Sequence, residues 1–189
     1  MKVLGISGSL RRKSYNTSLL RAAAELIGED IEFELWQGLK AVPPYDADED
    51  TENPPAAVAA MRSAVAGADA VLFATPEYNS SIPGQLKNGL DWVSRPLATN
   101  ALRNKPVAVV GASAGAFGAV WSQADLRRVL AAIGARVVEG EVAFGHAHTR
   151  FDEQGRLIDD DLRDQLAEVI GELLASARGR GEVFASAAA

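Results

Sequence analysis

The chain has 189 residues, 48 % hydrophobic and 23 % charged, which is enough apolar side chain for one sizeable core and argues against global disorder. Its formal charge of −6 disfavours a nucleic-acid or anionic-membrane partner, since both need a basic surface. The absence of cysteine excludes disulfides, thiolate catalysis and Cys-ligated zinc or iron–sulfur centres; with no apolar run near the ~20 residues of a membrane span and no signal-like start, a soluble cytoplasmic protein is expected.

In chain order, Val3-Leu4-Gly5-Ile6 reads as a first strand, and Leu19, Leu20, Ala23 and Ile27 share one face of a following helix. Residues 31–36 give a second, more polar strand, suited to a sheet edge. Pro43 to Pro55 is rich in proline and acid and reads as a long surface loop. Weaker helical stripes mark Ala56 to Ala66 and Gln85 to Val93. The runs 70–74 and 107–110 are short and continuously apolar, as strands buried on both faces of a parallel sheet require. Leu126, Val129, Leu130 and Ile133 form another stripe, residues 136–143 a fifth strand, and Leu162 to Leu174 the longest amphipathic stretch. Five strand–helix units predict an α/β fold: a flavodoxin-like, doubly wound, five-stranded parallel sheet with helices on both faces. One domain is expected over residues 1–178, followed by a small, polar, disordered tail over 179–189.

In such a sheet, ligands bind beyond the carboxyl ends of the strands. The loop after strand one reads Gly8-Ser9-Leu10-Arg11-Arg12-Lys13-Ser14-Tyr15-Asn16-Thr17-Ser18, with three consecutive cations in an acidic chain. Hydroxyls, an arginine and the unsatisfied N–H groups of a helix start together suit a dianion. Taken alone, the segment fits equally a solvated basic loop with Asn16 or Thr17 as an ordinary N-cap. It is neither a Walker loop nor Gly-x-Gly-x-x-Gly, so a terminal monophosphate fits better than a transferred phosphoryl group or a pyrophosphate.

Strand three runs into Thr75-Pro76-Glu77-Tyr78-Asn79-Ser80-Ser81-Ile82-Pro83-Gly84, a rigid turn with an aromatic ring near its tip. Alone it could be a proline-bounded loop whose Tyr78 packs on the next helix. Because both loops leave the same sheet edge, together they outline a mononucleotide pocket.

The segments 8–16 and 76–92, the second ending Gly84-Gln85-Leu86-Lys87-Asn88-Gly89-Leu90-Asp91-Trp92, resemble the two signature motifs of the NADPH-dependent FMN reductase family, whose members include quinone, chromate and azo-dye reductases. Pro44-Tyr45-Asp46-Ala47-Asp48 is similar to a third family segment. The resemblance implies FMN as cofactor, NADPH or NADH as co-substrate, a small-molecule electron acceptor and a homodimer or homotetramer. It implies a phosphate site at Ser9, Leu10, Arg11, Ser14 and Asn16, assisted by the backbone of Thr17 and Ser18. Pro76, Glu77, Tyr78 and Asn79 would lie along the flavin ring, and Ser113 and Gly115, in the turn after strand four, would close the pocket. Many relatives carry an aromatic residue where this chain has Ser80, which bears on how the outer face of the flavin is covered.

The flavin carries such chemistry, so no catalytic side chain is nominated, and Glu77 is read as structural. A flavodoxin-type electron carrier is the alternative. A magnesium-binding receiver domain would need acidic residues where Ser7 and Gly8 stand. His146 and His148 lack a third ligand at metal-site spacing and read as a polar loop. Asp159-Asp160-Asp161 reads as the cap of the last helix, and Trp92 and Trp121 as core or interface anchors.

Overall fold

Two-sided burial explains the unbroken apolar strands. The computed structural model describes the backbone of residues 1–187 and the side chains of residues 1–179. Strands β1 (Lys2–Ser7), β2 (Glu32–Trp36), β3 (Ala70–Thr75), β4 (Pro106–Ala112) and β5 (Arg136–Phe144) form one sheet in the order β2-β1-β3-β4-β5. Every neighbouring pair is parallel. Helices α1 (Tyr15–Leu26) and α5 (Asp160–Ala187) cover one face, and α2 (Ala56–Gly67), α3 (Gly84–Val93) and α4 (Val120–Ile133) the other. Along β3, Ala70, Leu72 and Ala74 join the α1/α5 core, while Val71 and Phe73 join the opposite one. The period of two is therefore present but hidden, because both faces are apolar.

The polar β2 lies at an edge, as its composition predicts. At the other edge, the pairing of β4 with β5 slips between Val107 and Val109. Arg127 on α4 fills the irregularity, donating to the carbonyls of Val138 (2.7 Å), Val109 (3.2 Å) and Gly140 (2.5 Å). Burial pulls its guanidinium pKa down from the ordinary value. The 43–55 loop is anchored rather than loose: Asn88 Nδ2 and Trp92 Nε1 both donate to the Pro43 carbonyl, and Tyr45 N–H donates to Asn88 Oδ1. Trp92 is thus a core anchor, fully buried, whereas Trp121 is 49 % exposed.

Helix α5 starts where the three aspartates predict. Asp159 Oδ1 accepts from the Leu162 N–H at 3.0 Å, and its other oxygen pairs with Arg150. The helix continues to Ala187, through most of the segment predicted to be a disordered tail; residues 188 and 189 of that segment lie outside the described residues. His146 and His148 are exposed, and among the described residues no group of three or more metal-ligating side chains occurs.

The Leu162 N–H, followed by Arg150, holds the Asp159 carboxyl below its usual pKa. A depressed folded pKa contributes stability above the ordinary carboxylate value of about 3.9, and that contribution is lost as pH falls through the lower folded value. Asp159→Asn is therefore expected to lower the melting temperature at neutral pH. The gap from the parent should close as pH is lowered from about 4 towards 2, measured by thermal unfolding across that range.

Candidate functional site

The strand order reverses at β1, so the loops leaving β1 and β3 diverge and open a crevice between them. Gly8 N–H still pairs with the Ala74 carbonyl at 2.8 Å, and the 8–14 loop folds outwards only after it. Helix α1 begins at Tyr15, earlier than the expected caps at Asn16 or Thr17. Ser14 is the N-cap, its hydroxyl accepting from Thr17 N–H at 3.3 Å. The first-turn N–H groups of Tyr15 and Asn16 are left without helical partners, and the Ser14 hydroxyl proton remains available to a ligand. Arg11 is exposed and makes no ion pair among the described residues.

Asn16 is 3 % exposed and reaches across the end of the sheet. Its Nδ2 donates to the Ala112 carbonyl at 2.9 Å, and its Oδ1 accepts from Ala112 N–H at 3.0 Å. This reciprocal pair ties the β1 loop to the end of β4.

The β3 loop is held equally firmly. Thr75 Oγ1 and Ser122 Oγ both donate to the Pro76 carbonyl, at 2.8 and 2.9 Å. Asn79 and Ser80 have φ of 54° and 58°, and Tyr78 and Ser81 exchange backbone hydrogen bonds at 3.1 and 3.2 Å: a type I′ turn. Ala119, the residue before α4, offers no side-chain cap. Glu77 supplies one from a distance, its Oε2 accepting from the N–H groups of Trp121 (3.1 Å) and Ser122 (3.2 Å). The carboxylate sits where a helix start favours negative charge. Ser81 Oγ adds a further tie to α4 at Asp125 Oδ2, 2.7 Å away. In the 113–115 turn, Ser113 Oγ accepts from Gly115 N–H at 3.0 Å, and Ser113 N–H donates to the Phe144 carbonyl at 2.9 Å.

Ser9, Arg11, Ser14, Asn16, Pro76, Glu77, Tyr78 and Ser113 come together around one cleft of about 200 Å³. The other predicted residues fall elsewhere. Leu10, 46 % exposed, lines the two neighbouring depressions. Thr17 Oγ1 donates to Ser7 Oγ at 3.2 Å on the β2 side, and buried Ser18 lies beside Gly155. Asn79 serves the turn, and Gly115 stands behind Ser113.

Tyr15, Ala112 and Ala114 also line the cleft and were not predicted. Tyr15 stacks on Phe151 at 5.8 Å, a partner more than a hundred residues away that no local pattern reveals. Phe117 and Trp121 form an exposed edge-to-face pair, ring centroids 5.2 Å apart. The hydrogen bond from Trp121 N–H to Glu77 places this pair beside the β3 loop.

A crevice at the point where strand order reverses, with an anion-accepting helix start at one end and main chain along its walls, is how flavodoxin-like proteins hold a flavin mononucleotide. Comparisons agree. Residues 1–149 match the model of the NADPH-dependent FMN reductase family, and the chain belongs to that family. It is 42 % identical over 174 residues to an NAD(P)H-dependent FMN reductase of Pseudomonas aeruginosa, covering 92 % of this chain and 93 % of that one. It is 36 % identical to a 2-hydroxy-1,4-benzoquinone reductase of a Burkholderia species, covering 95 % and 98 %. Among solved structures, FerB, a flavoenzyme NAD(P)H:(acceptor) oxidoreductase from Paracoccus denitrificans, superposes with a TM-score of 0.84 at 30 % identity over 94 % of this chain and 97 % of that one. The chain is accordingly an FMN-dependent NAD(P)H oxidoreductase rather than an electron carrier without a substrate of its own.

Two substitutions check this geometry. Asn16→Ala removes both bonds to Ala112 and strands a buried backbone N–H and C=O, so urea unfolding should show a loss of about 2–3 kcal/mol. Glu77→Gln keeps an acceptor for the start of α4 and should leave flavin content unchanged, whereas Glu77→Ala should cost about 1 kcal/mol of stability in the same assay.

Proposed function

We propose that FMN lies in the cleft with its phosphate at the start of α1 and its ring between the 76–78 and 113–114 backbones, and that electrons pass to a small quinone-like acceptor. The observation that carries this reading is the convergence of the β1, β3 and β4 loops on one crevice. The donors suit the group: Arg11 supplies full charge, Ser9 and Ser14 supply hydroxyls, and Tyr15 and Asn16 supply N–H groups at the positive end of a helix. When bound, FMN supplies the redox chemistry itself, a hydride in from reduced nicotinamide and two electrons out to the acceptor.

The protein's share is binding, orientation and exclusion of water. The ties of Pro76, Glu77 and Asn16 to α4 and β4 fix the cleft walls before any ligand arrives. Ser113 keeps its hydroxyl proton free to donate to a ring heteroatom, because its oxygen already accepts from Gly115 N–H. The Glu77 carboxylate is occupied by two N–H groups, which favours a positioning role over proton transfer. Tyr78, half exposed, together with Phe117 and Trp121, offers flat apolar surface at the open side, where Ser80 leaves the turn uncovered. A planar acceptor such as a benzoquinone suits that rim, and the Burkholderia relative is named for such a quinone.

Assembly as a homodimer or homotetramer belongs to the same proposal, with exposed Leu97, outside the acceptor rim, as apolar surface for it to bury. So does a cytoplasmic location, in keeping with an NAD(P)H-dependent family. Among the described residues, no helix is long and apolar enough to cross a membrane.

Arg11→Ala should weaken FMN by about 1.5–3 kcal/mol, roughly ten- to a hundredfold, while riboflavin, which lacks the phosphate, changes little. Fluorescence titration of the flavin-free protein with both ligands makes the comparison, and equal losses would remove the phosphate from this loop. NADPH oxidation with a benzoquinone acceptor tests turnover, and negligible rates across several acceptors would contradict the proposed acceptor class.

A further inference from the structure

The segment between β5 and α5 contributes no residue to the flavin cleft, yet it is fastened against the start of α1. Phe151 stacks between Tyr15 and Phe144, ring centroids 5.8 and 6.2 Å away, and forms a short antiparallel bridge with Leu157. Gly155, with φ of 79°, lies so close to α1 that a Cβ there would meet Ser18 Oγ at 2.8 Å. Asp152 closes the turn between them. Its Oδ1 accepts from the N–H groups of Gln154 and Arg156 at 3.0 and 2.8 Å, and its Oδ2 from Arg156 Nε at 2.7 Å. Glu153 is thereby held at an exposed, fixed tip.

A cavity of about 420 Å³ separates this tip from the β1 loop, lined by Arg11, Arg12, Lys13 and Arg21 and by Asp152 and Glu153. Three of these charges have other duties: Arg156 neutralises Asp152, Arg11 also lines the flavin cleft, and Arg21 is carried on α1. Arg12, Lys13 and Glu153 remain. Among the described residues, none of the three makes an ion pair or a side-chain hydrogen bond. The two sides also differ in rigidity. Residues 10–13 are all exposed, and their backbone is shaped by one bond within the loop, from Arg11 N–H to Ser9 Oγ at 3.4 Å. No hydrogen bond ties them to another element among the described residues. A loosely held cationic loop thus faces an unused carboxylate on a fixed support, across solvent it can displace.

We propose that Glu153 is a positioning residue for the flavin phosphate: with the phosphate drawing Arg11 to the start of α1, Arg12 and Lys13 close onto Glu153 and latch the β1 loop over the site. The proposal rests on the reading that FMN lies in the cleft with its phosphate at the start of α1. Its energetic scale is that of an exposed ion pair, a factor of about two to five in a rate or equilibrium. Its sign is what makes it distinctive. A carboxylate near a bound phosphate repels it, so by charge alone Glu153 weakens FMN. As a latch for the loop it does the opposite.

Flavin release from the loaded full chain, followed by fluorescence after rapid dilution in low salt, separates the two signs. Glu153→Gln should release FMN about two- to fivefold faster than the parent, while release of riboflavin, which lacks the phosphate, stays the same. In the Arg12→Gln/Lys13→Gln background, Glu153→Gln should no longer speed FMN release, because its partners are gone. Unchanged or slower FMN release by Glu153→Gln would overturn the proposal, leaving only a repulsive charge near the phosphate. Equal acceleration with and without Arg12 and Lys13, or equal acceleration for riboflavin, would also overturn it, leaving a general structural effect of the tip. The same samples report on the parent reading. A chain that takes up no FMN contradicts that reading, whereas a loaded chain whose FMN release ignores Glu153 contradicts only the latch.

Discussion

The side-chain amide of Asn16 exchanges two hydrogen bonds with the backbone of Ala112, at 2.9 and 3.0 Å, and so fastens the start of α1 over the end of β4. The end of β3 lies between those two strands, and its loop emerges beside this bridge. Without the bridge, the start of α1 would lose its direct tie to the end of β4, although the β3 loop keeps its own bonds to α4. With it, the unpaired N–H groups at the start of α1 are held at a constant position relative to the β3 and β4 turns. The cleft is thus preformed, and a ligand need not supply the energy to assemble it.

Charge is distributed with equal economy of means. Carboxylates near the sheet's carboxyl edge are engaged by the fold: Glu77 by the start of α4, Asp125 by Ser81, and Asp159 by the start of α5. The hydroxyl of Ser81 and then Arg128 hold the Asp125 carboxyl below its ordinary pKa, consistent with a carboxylate kept charged for structure. Among the described residues, Arg11, Arg12 and Lys13 of the β1 loop make no ion pair, and Arg11 lines the flavin cleft. An acidic protein can therefore keep cations free for a ligand at one loop without a basic surface elsewhere.

Much of this was legible in the sequence. The continuous runs 70–74 and 107–110 announced doubly buried strands, and the polar β2 announced an edge. The motifs at 8–16 and 76–92 marked the loops that converge on the cleft. What stayed hidden depended on long-range partners. Asn16 reads locally as a helix cap, but Ser14 takes that role and Asn16 reaches a strand 96 residues away. Glu77 reads as a turn residue, yet it caps a helix 44 residues on, because Ala119 cannot. Trp121, read with Trp92 as a core or interface anchor, is exposed rather than in the core, and its backbone N–H donates to Glu77.

The most direct test of the flavin assignment is a crystal structure of the chain purified with its own flavin. The expected density places the FMN phosphate at the start of α1, between Ser9, Arg11 and the N–H groups of Tyr15 and Asn16, with the ring between the 76–78 and 113–114 backbones. A phosphate lying away from the start of α1, or a ring outside the crevice between the β1 and β3 loops, would contradict it.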